Sequence, residues 1–179
     1  EDAAGFIGFG HEFALLGGDV PRVIHTARSN NGIVTCGLFE AEGEELREAL
    51  RWNFSMASYT PIWTPLPDGS FLALWSDEGG GLAKLCHFQR GSGGWEGLPL
   101  AIPEGFDRVF SNREGSRCVV GSRDRALLYD LGARRQVGGY LKLPGEYDTV
   151  GQSDEIVWSS AGHGFFLVDD RSVHEFDGE

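Results

Sequence analysis

Three cysteines in 179 residues, no apolar run long enough to cross a bilayer, and 15 basic side chains against 27 acidic ones set the first limits on this chain. Cys36, Cys86 and Cys118 stand far apart, each inside strand-like apolar sequence. An odd count without close spacing fits neither a disulfide framework nor a zinc site, so buried thiols in a reducing, cytoplasmic compartment are expected. The longest apolar runs, Phe71 to Ser76 and Gly164 to Val168, are far short of the roughly 18 residues of a membrane-spanning helix, so no membrane span is expected. A net charge of −12 argues against general nucleic-acid binding, which needs a basic stripe to neutralise phosphates. Partners should instead be proteins or neutral surfaces. The chain starts at Glu1 with no signal-like segment, and is expected to be a processed or trimmed piece of something longer.

What is present in quantity is glycine. Twenty-seven glycines are about twice the usual share of roughly 7%, and they fall between short apolar runs without a tripeptide period. Apolar residues make up 41% and charged residues 23%, the balance of an ordinary globular chain that folds. Many tight turns between short strands are the natural reading, and the length favours one domain.

A phrase of β run, polar turn and β run recurs along the chain. The clearest copy is Arg108 to Asn112, Arg117 to Ser122, Ala126 to Leu131 and Gln136 to Leu143. The next is Tyr147 to Gln152, Glu155 to Ala161, Gly164 to Asp169 and Val173 to Phe176. The preceding copy is Pro61 to Leu66, Ser70 to Ser76, Leu82 to Phe88 and Trp95 to Leu100. A looser one runs Arg22 to Ser29, Ile33 to Glu40 and Glu45 to Trp52, ending near Phe54 to Tyr59. Within it Glu44 to Trp52 reads two ways: its residues are good helix formers, yet Leu46, Leu50 and Trp52 alternate with charges as in a strand. At the front, Ala4 to Gly10 and Phe13 to Gly17, joined by His11-Glu12, look like the middle strands of one more copy that has lost its outer partner.

Asp68-Gly69 and Asn31-Gly32 offer the positive φ that tight hairpins need. Neighbouring strands should therefore pair antiparallel, and such sheets bury both faces by stacking radially. The expected class is all-β: a β-propeller of four-stranded antiparallel blades over residues 1–179, with a partial blade at 1–21 and full ones at 22–59, 60–104, 105–145 and 146–179.

The stretch Gly121-Ser122-Arg123-Asp124-Arg125-Ala126-Leu127-Leu128-Tyr129-Asp130 resembles the WD-repeat class of β-propellers, as does the rhythm from Pro61 to Phe176. Tyr129-Asp130 stands where that class has Trp-Asp. No Gly-His pair opens a blade and no Trp-Asp dipeptide occurs, so the class's hydrogen-bonded tetrad of His, Asp, Ser or Thr and Trp is not expected. Four full blades and a partial one suggest that further sequence, or another chain, completes a ring of about seven.

Candidate chemistry is sparse. His11, His25, His87, His163 and His174 have no metal-like neighbour at i+2 or i+4. The acidic turns at Asp68, Asp77-Glu78 and Asp169-Asp170 lack the every-second-residue spacing of a calcium loop. Gly79-Gly80-Gly81 and Gly91-Ser92-Gly93-Gly94 are flanked by strands and read as hairpin connections rather than phosphate loops. Gly91-Ser92-Gly93 has the wrong spacing for a nucleophile elbow. No cofactor, metal or catalytic residue is expected.

Trp52, Trp63, Trp75, Trp95 and Trp158 lie in or beside strands and should pack between sheets, with Trp63 and Trp95 the candidates to anchor a partner. Seven arginines, at 108, 113, 117, 123, 125, 134 and 135, crowd one repeat and make Arg113, Arg123 and Arg125 candidate contacts for an acidic partner, against the plainer view that they pair with neighbouring acids in solvent. The expected function is a non-catalytic protein–protein interaction scaffold using a loop face. A catalytic propeller of lyase or glycosidase type, with paired carboxylates, and a carbohydrate-binding propeller are the alternatives.

Overall fold

The computed structural model describes residues 9–16, 20–29, 33–54, 61–76, 83–103, 105–106, 108–122, 125–142, 155–158, 164–168 and 173–176. All the regular structure among them is β. The chain divides into two compact units, Glu1–Gly105 and Phe106–Glu179.

The first unit holds two four-stranded antiparallel meanders. The first meander is β1 (Phe9–Leu16), β2 (Arg22–Arg28), β3 (Val34–Glu42) and β4 (Glu45–Phe54). The second is β5 (Ile62–Pro65), β6 (Phe71–Ser76), β7 (Ala83–Gly91) and β8 (Gly94–Leu100). In the second unit, β9 (Arg108–Ser111), β10 (Arg117–Gly121), β11 (Arg125–Asp130) and β12 (Arg135–Lys142) form another four-stranded meander, and β13 (Glu155–Trp158), β14 (Phe165–Val168) and β15 (Val173–Phe176) a three-stranded one.

Two features depart from the sequence expectation. His11-Glu12 is not a turn: both residues lie inside one strand, opposite Ala27 and Thr26, with an irregularity between Phe9 and His11. Residues 9–16 thus complete the sheet of Arg22–Arg28 rather than a separate partial copy; of the expected last strand, Phe54 to Tyr59, only Phe54, which ends β4, lies within the described residues. Alternation of apolar residues marks a strand but not its neighbour, so the grouping was free to shift by one strand. Within Glu44 to Trp52, everything from Glu45 on is strand, pairing Trp52 with Cys36 and Leu50 with Leu38. An irregularity between Leu38 and Phe39 resets the pleat, so the helix-forming composition yields to cross-strand pairing. The expected strand Tyr147 to Gln152 and the turn at Asn31-Gly32 lie outside the described residues.

Within each four-stranded sheet the middle strands are the buried ones. β10 and β11 are closed to solvent over Cys118–Gly121 and Ala126–Tyr129, so both faces are covered, whereas the last strand β12 is mostly exposed. Continuous apolar runs belong in strands covered on two sides, and alternating ones where one side is wet.

In the first unit, Leu16, Ile24 and Leu38 of the first sheet pack on Phe71, Ala73, Cys86 and Phe88 of the second. Rings supply the rest. Trp52 sits 4.8 Å from Phe88 and 5.7 Å from Trp63, Phe71 stacks on Phe88 at 4.9 Å, and Phe54 meets Trp75 at 4.2 Å. Each such pair adds about 0.5–1.5 kcal/mol beyond the area it buries. In the second unit the core is largely aliphatic, with Val119, Ala126 and Leu128 against Phe165, which stacks on Phe176.

Candidate functional site

The cleft that carries the most chemistry lies at one end of the two sheets of the first unit. Its floor is the turn between β5 and β6. Here Leu66 N donates to Ser70 O (2.9 Å) and Gly69 N to Leu66 O (3.0 Å). The turn needs φ = +82° at Gly69, a conformation that disfavours any side chain. Asp68 fixes it from inside, its Oδ1 accepting from the backbone N–H of Ser70 (2.9 Å) and from the Ser70 hydroxyl (2.6 Å).

The Ser70 oxygen also lies 2.8 Å from His87 Nε2. Serine, histidine and aspartate in contact invite a nucleophile reading, but the proton positions oppose it. The hydroxyl proton points at Asp68, so His87 donates to Ser70 rather than accepting from it, and Ser70 is buried. A hydrolytic serine needs a base that takes its proton and an open approach. This chain of bonds is a turn lock.

Two further walls come from the first sheet and from β7 and β8. Arg22, at the start of β2, is 9% exposed; its Nε donates to Val20 O (3.3 Å), its Nη1 donates to Gly69 O, and its guanidinium lies over the Trp95 ring, 5.4 Å from the centroid. Glu40 stands directly across from Arg22 in the β2–β3 pairing. Its carboxylate is held elsewhere, accepting from Trp95 Nε1 (3.2 Å) and from Arg90 (3.3 Å). Gln89 completes the lining of a space of about 230 Å³.

The sequence candidates are distributed unevenly. Trp95 lines this cleft. Trp63 is half-buried in the aromatic core, in contact with Trp52, Phe54 and Phe71. Arg113 is exposed in the β9–β10 turn, and Arg123 lies outside the described residues. Arg125 is half-buried, its guanidinium 5.3 Å from the Phe106 ring and 5.4 Å from that of Tyr140. The strand bulge between Ala126 and Leu128, with Gly138 at φ = +69°, brings Tyr140 over it.

Pairing of β9 to β12 sends Arg113 and Arg117 to one end of their sheet and Arg108 and Arg125 to the other. The arginines concentrated in sequence are therefore two groups in space.

One pairing escaped the sequence altogether. His11 Nδ1 and His25 Nε2 approach to 2.8 Å on the exposed face of the first sheet, with their rings stacked and the Phe13 ring also stacked on His25 at 4.8 Å. Burial, then the charges of His11 and Arg51, push the His25 pKa down from its ordinary value. Residues fourteen apart meet here because antiparallel pairing sets Phe13 opposite His25, which no i+2 or i+4 rule detects.

Cys36 and Cys118 are enclosed thiols whose pKa values burial pushes up to about 12, so they are poor nucleophiles. Among the described residues, no group of three or more His, Cys, Asp or Glu side chains is placed to hold a metal ion. No helix among them is long and apolar enough to cross a membrane.

No family model matches the chain. No curated protein matches it either. Among solved structures it is similar to the complex of the fission yeast SREBP-SCAP binding domains, with a TM-score of 0.47 and 11% identity, over 95% of this chain and 50% of that one. The chain spans about half the length of that neighbour.

Proposed function

We propose that the sheets are blades of a WD-like β-propeller and that the protein is a non-catalytic interaction module, gripping a segment of a partner protein in the cleft around Trp95. The blade arrangement is supported by meanders whose middle strands are covered on both faces while the last strand stays wet, which suits serial stacking. The bonded Asp68, Ser70 and His87 are three of the four residue types in the tetrad of the WD class, although the sequence lacks the Gly-His and Trp-Asp pairs that mark it.

The cleft itself carries the functional reading. A volume of about 230 Å³ falls below the roughly 300–1,000 Å³ of small-molecule sites, but it takes one or two side chains. Its wall combines an indole with arginines, the residue types enriched at the centre of protein interfaces. Both carboxylates in it, Glu40 and Asp68, are engaged as hydrogen-bond acceptors, a structural use that a glycosidase pair would not have.

The test is an affinity pull-down with the full chain as bait, beside Trp95→Ala and Arg113→Glu. Wild type and Arg113→Glu should recover the same protein partner, and Trp95→Ala should recover about tenfold less or worse, the size of a hot-spot loss. If no partner is recovered and the protein turns over a sugar or an ester, the module is an enzyme and the proposal is wrong.

A further inference from the structure

Within that interaction reading, on which this step rests, we infer that the cleft recognises a peptide carboxylate, from an acidic side chain or a chain end, with Arg22 as the receptor. A guanidinium taken out of water is costly unless an opposite charge accompanies it. Arg22 is 9% exposed, yet among the described residues no carboxylate lies within 4.0 Å of it. Its cross-strand neighbour Glu40 is the natural counter-ion, and Glu40 turns instead to Arg90 and Trp95. Two carbonyls and an aromatic face orient the Arg22 group without neutralising it.

Only two of its five N–H donors are spent, so a planar fork remains for a planar, singly charged acceptor. A phosphate dianion fits less well. Glu40 and Asp68 line the same cleft, and the chain carries a net charge of −12, so each added negative charge on the ligand meets repulsion. Asp68 uses one oxygen on Ser70 and has no cation within 4.0 Å among the described residues, which favours an acidic residue flanked by a basic one over a run of acids.

The experiment is a side-chain ¹H–¹⁵N titration of the intact protein, following the Arg22 Nε–H and Trp95 Nε1–H signals. The probes are an acetylated, amidated Gly-Glu-Gly, its Gly-Gln-Gly counterpart, an acetylated Gly-Gly-Gly with a free carboxyl end, and inorganic phosphate. The glutamate peptide should move both signals and the glutamine peptide should not. A response to the free chain end assigns that source as well, and no response to it restricts the site to acidic side chains.

Equal shifts with Glu and Gln, no shift with either the Glu peptide or the free chain end, or tighter binding of phosphate would each overturn the inference, and a shift with the free chain end alone restricts the site to chain ends. Arg22→Gln should weaken the glutamate peptide about tenfold or more, the worth of a charged hydrogen bond. If that variant does not fold, the Glu and Gln comparison on wild type decides alone. Trp95-dependent partner capture without Glu over Gln preference would refute the carboxylate while leaving the interaction module standing. A partner captured equally well by Trp95→Ala would refute the cleft as the gripping site, and with it both readings of the cleft.

Discussion

The β5–β6 turn of the first unit and the β9–β10 turn of the second solve the same problem differently. Both link the first two strands of a four-stranded meander, and both place a glycine at positive φ, Gly69 at 82° and Gly115 at 70°. In the β9–β10 turn the key side chain spends its bonds at home: Asn112 Oδ1 accepts from Ser116 N and Arg117 N at 3.0 Å each, and its Nδ2 donates to Ser116 Oγ. The β5–β6 turn exports its bonds. Ser70 reaches His87 in β7, and the Gly69 carbonyl takes Arg22 from another sheet. A self-satisfied turn is a finished surface, whereas a turn tied to distant strands creates a walled space with an arginine in it. The cleft exists because of that difference.

The largest perturbation tests the cores beneath the two turns. Phe71→Ala removes a fully buried ring that touches Trp63, Phe88 and Trp95, and should lower stability by about 3–5 kcal/mol in urea unfolding. Val119→Ala, equally buried in the second unit, should cost only about 2 kcal/mol, the loss of two carbons and a small cavity. Equal losses would show that the aromatic cluster collapses around the missing ring instead of leaving a cavity.

The glycines come next. Gly115→Ala should cost about 1–2 kcal/mol for placing a side chain in the left-handed region. Gly69→Ala should exceed it, because the new methyl also collides with the Arg22 guanidinium. A smaller loss at Gly69 would break the claim that its turn is tied to the first sheet. In the same range, Asn112→Ala strips two backbone N–H groups of their acceptor and should cost about 1–3 kcal/mol without touching ligand binding. Ser70→Ala should cost about 1 kcal/mol, yet alter the Trp95 and Arg22 signals that report on the cleft.

Much of the framework was legible because it is local. Short apolar runs, the Asp68-Gly69 turn and the continuous apolar sequence of Cys118 to Val120 each carry their own signature of strand, hairpin or doubly covered strand. Strand grouping was not, since the sheet containing Phe9–Leu16 depends on which neighbour wins the pairing. The cleft was legible at Trp95 alone. Val20, Arg22, Glu40, Asp68 and Arg90 come from four separate stretches, and none of them is unusual where it stands. The arginine cluster misled in the opposite direction, because reversing the chain at each hairpin sends sequence neighbours to opposite ends of the sheet.

The smallest expected effect concerns the one titratable pair described here that sequence spacing hid. Across a 2.8 Å contact between His11 Nδ1 and His25 Nε2, one nitrogen donates and the other accepts, so the contact requires at least one neutral imidazole. Arg51 adds positive charge beside His25, and Glu48 offers little relief because its carboxylate is already bonded to the Arg51 guanidinium. His25 is therefore harder to protonate in the folded sheet than in the unfolded chain, where its ordinary value is 6.5. Below that pH the unfolded chain binds more protons, so the contribution is complete above about pH 6.5 and is lost as the solution is acidified. Urea midpoints measured from pH 8 down to pH 5 should fall for wild type, and fall less steeply for His11→Gln, which keeps a polar side chain but removes the neighbouring charge. Parallel curves for the two proteins would mean that the pair carries no coupled proton, and that the exposed face of the first sheet is as indifferent to pH as the β9–β12 sheet, which contains no histidine.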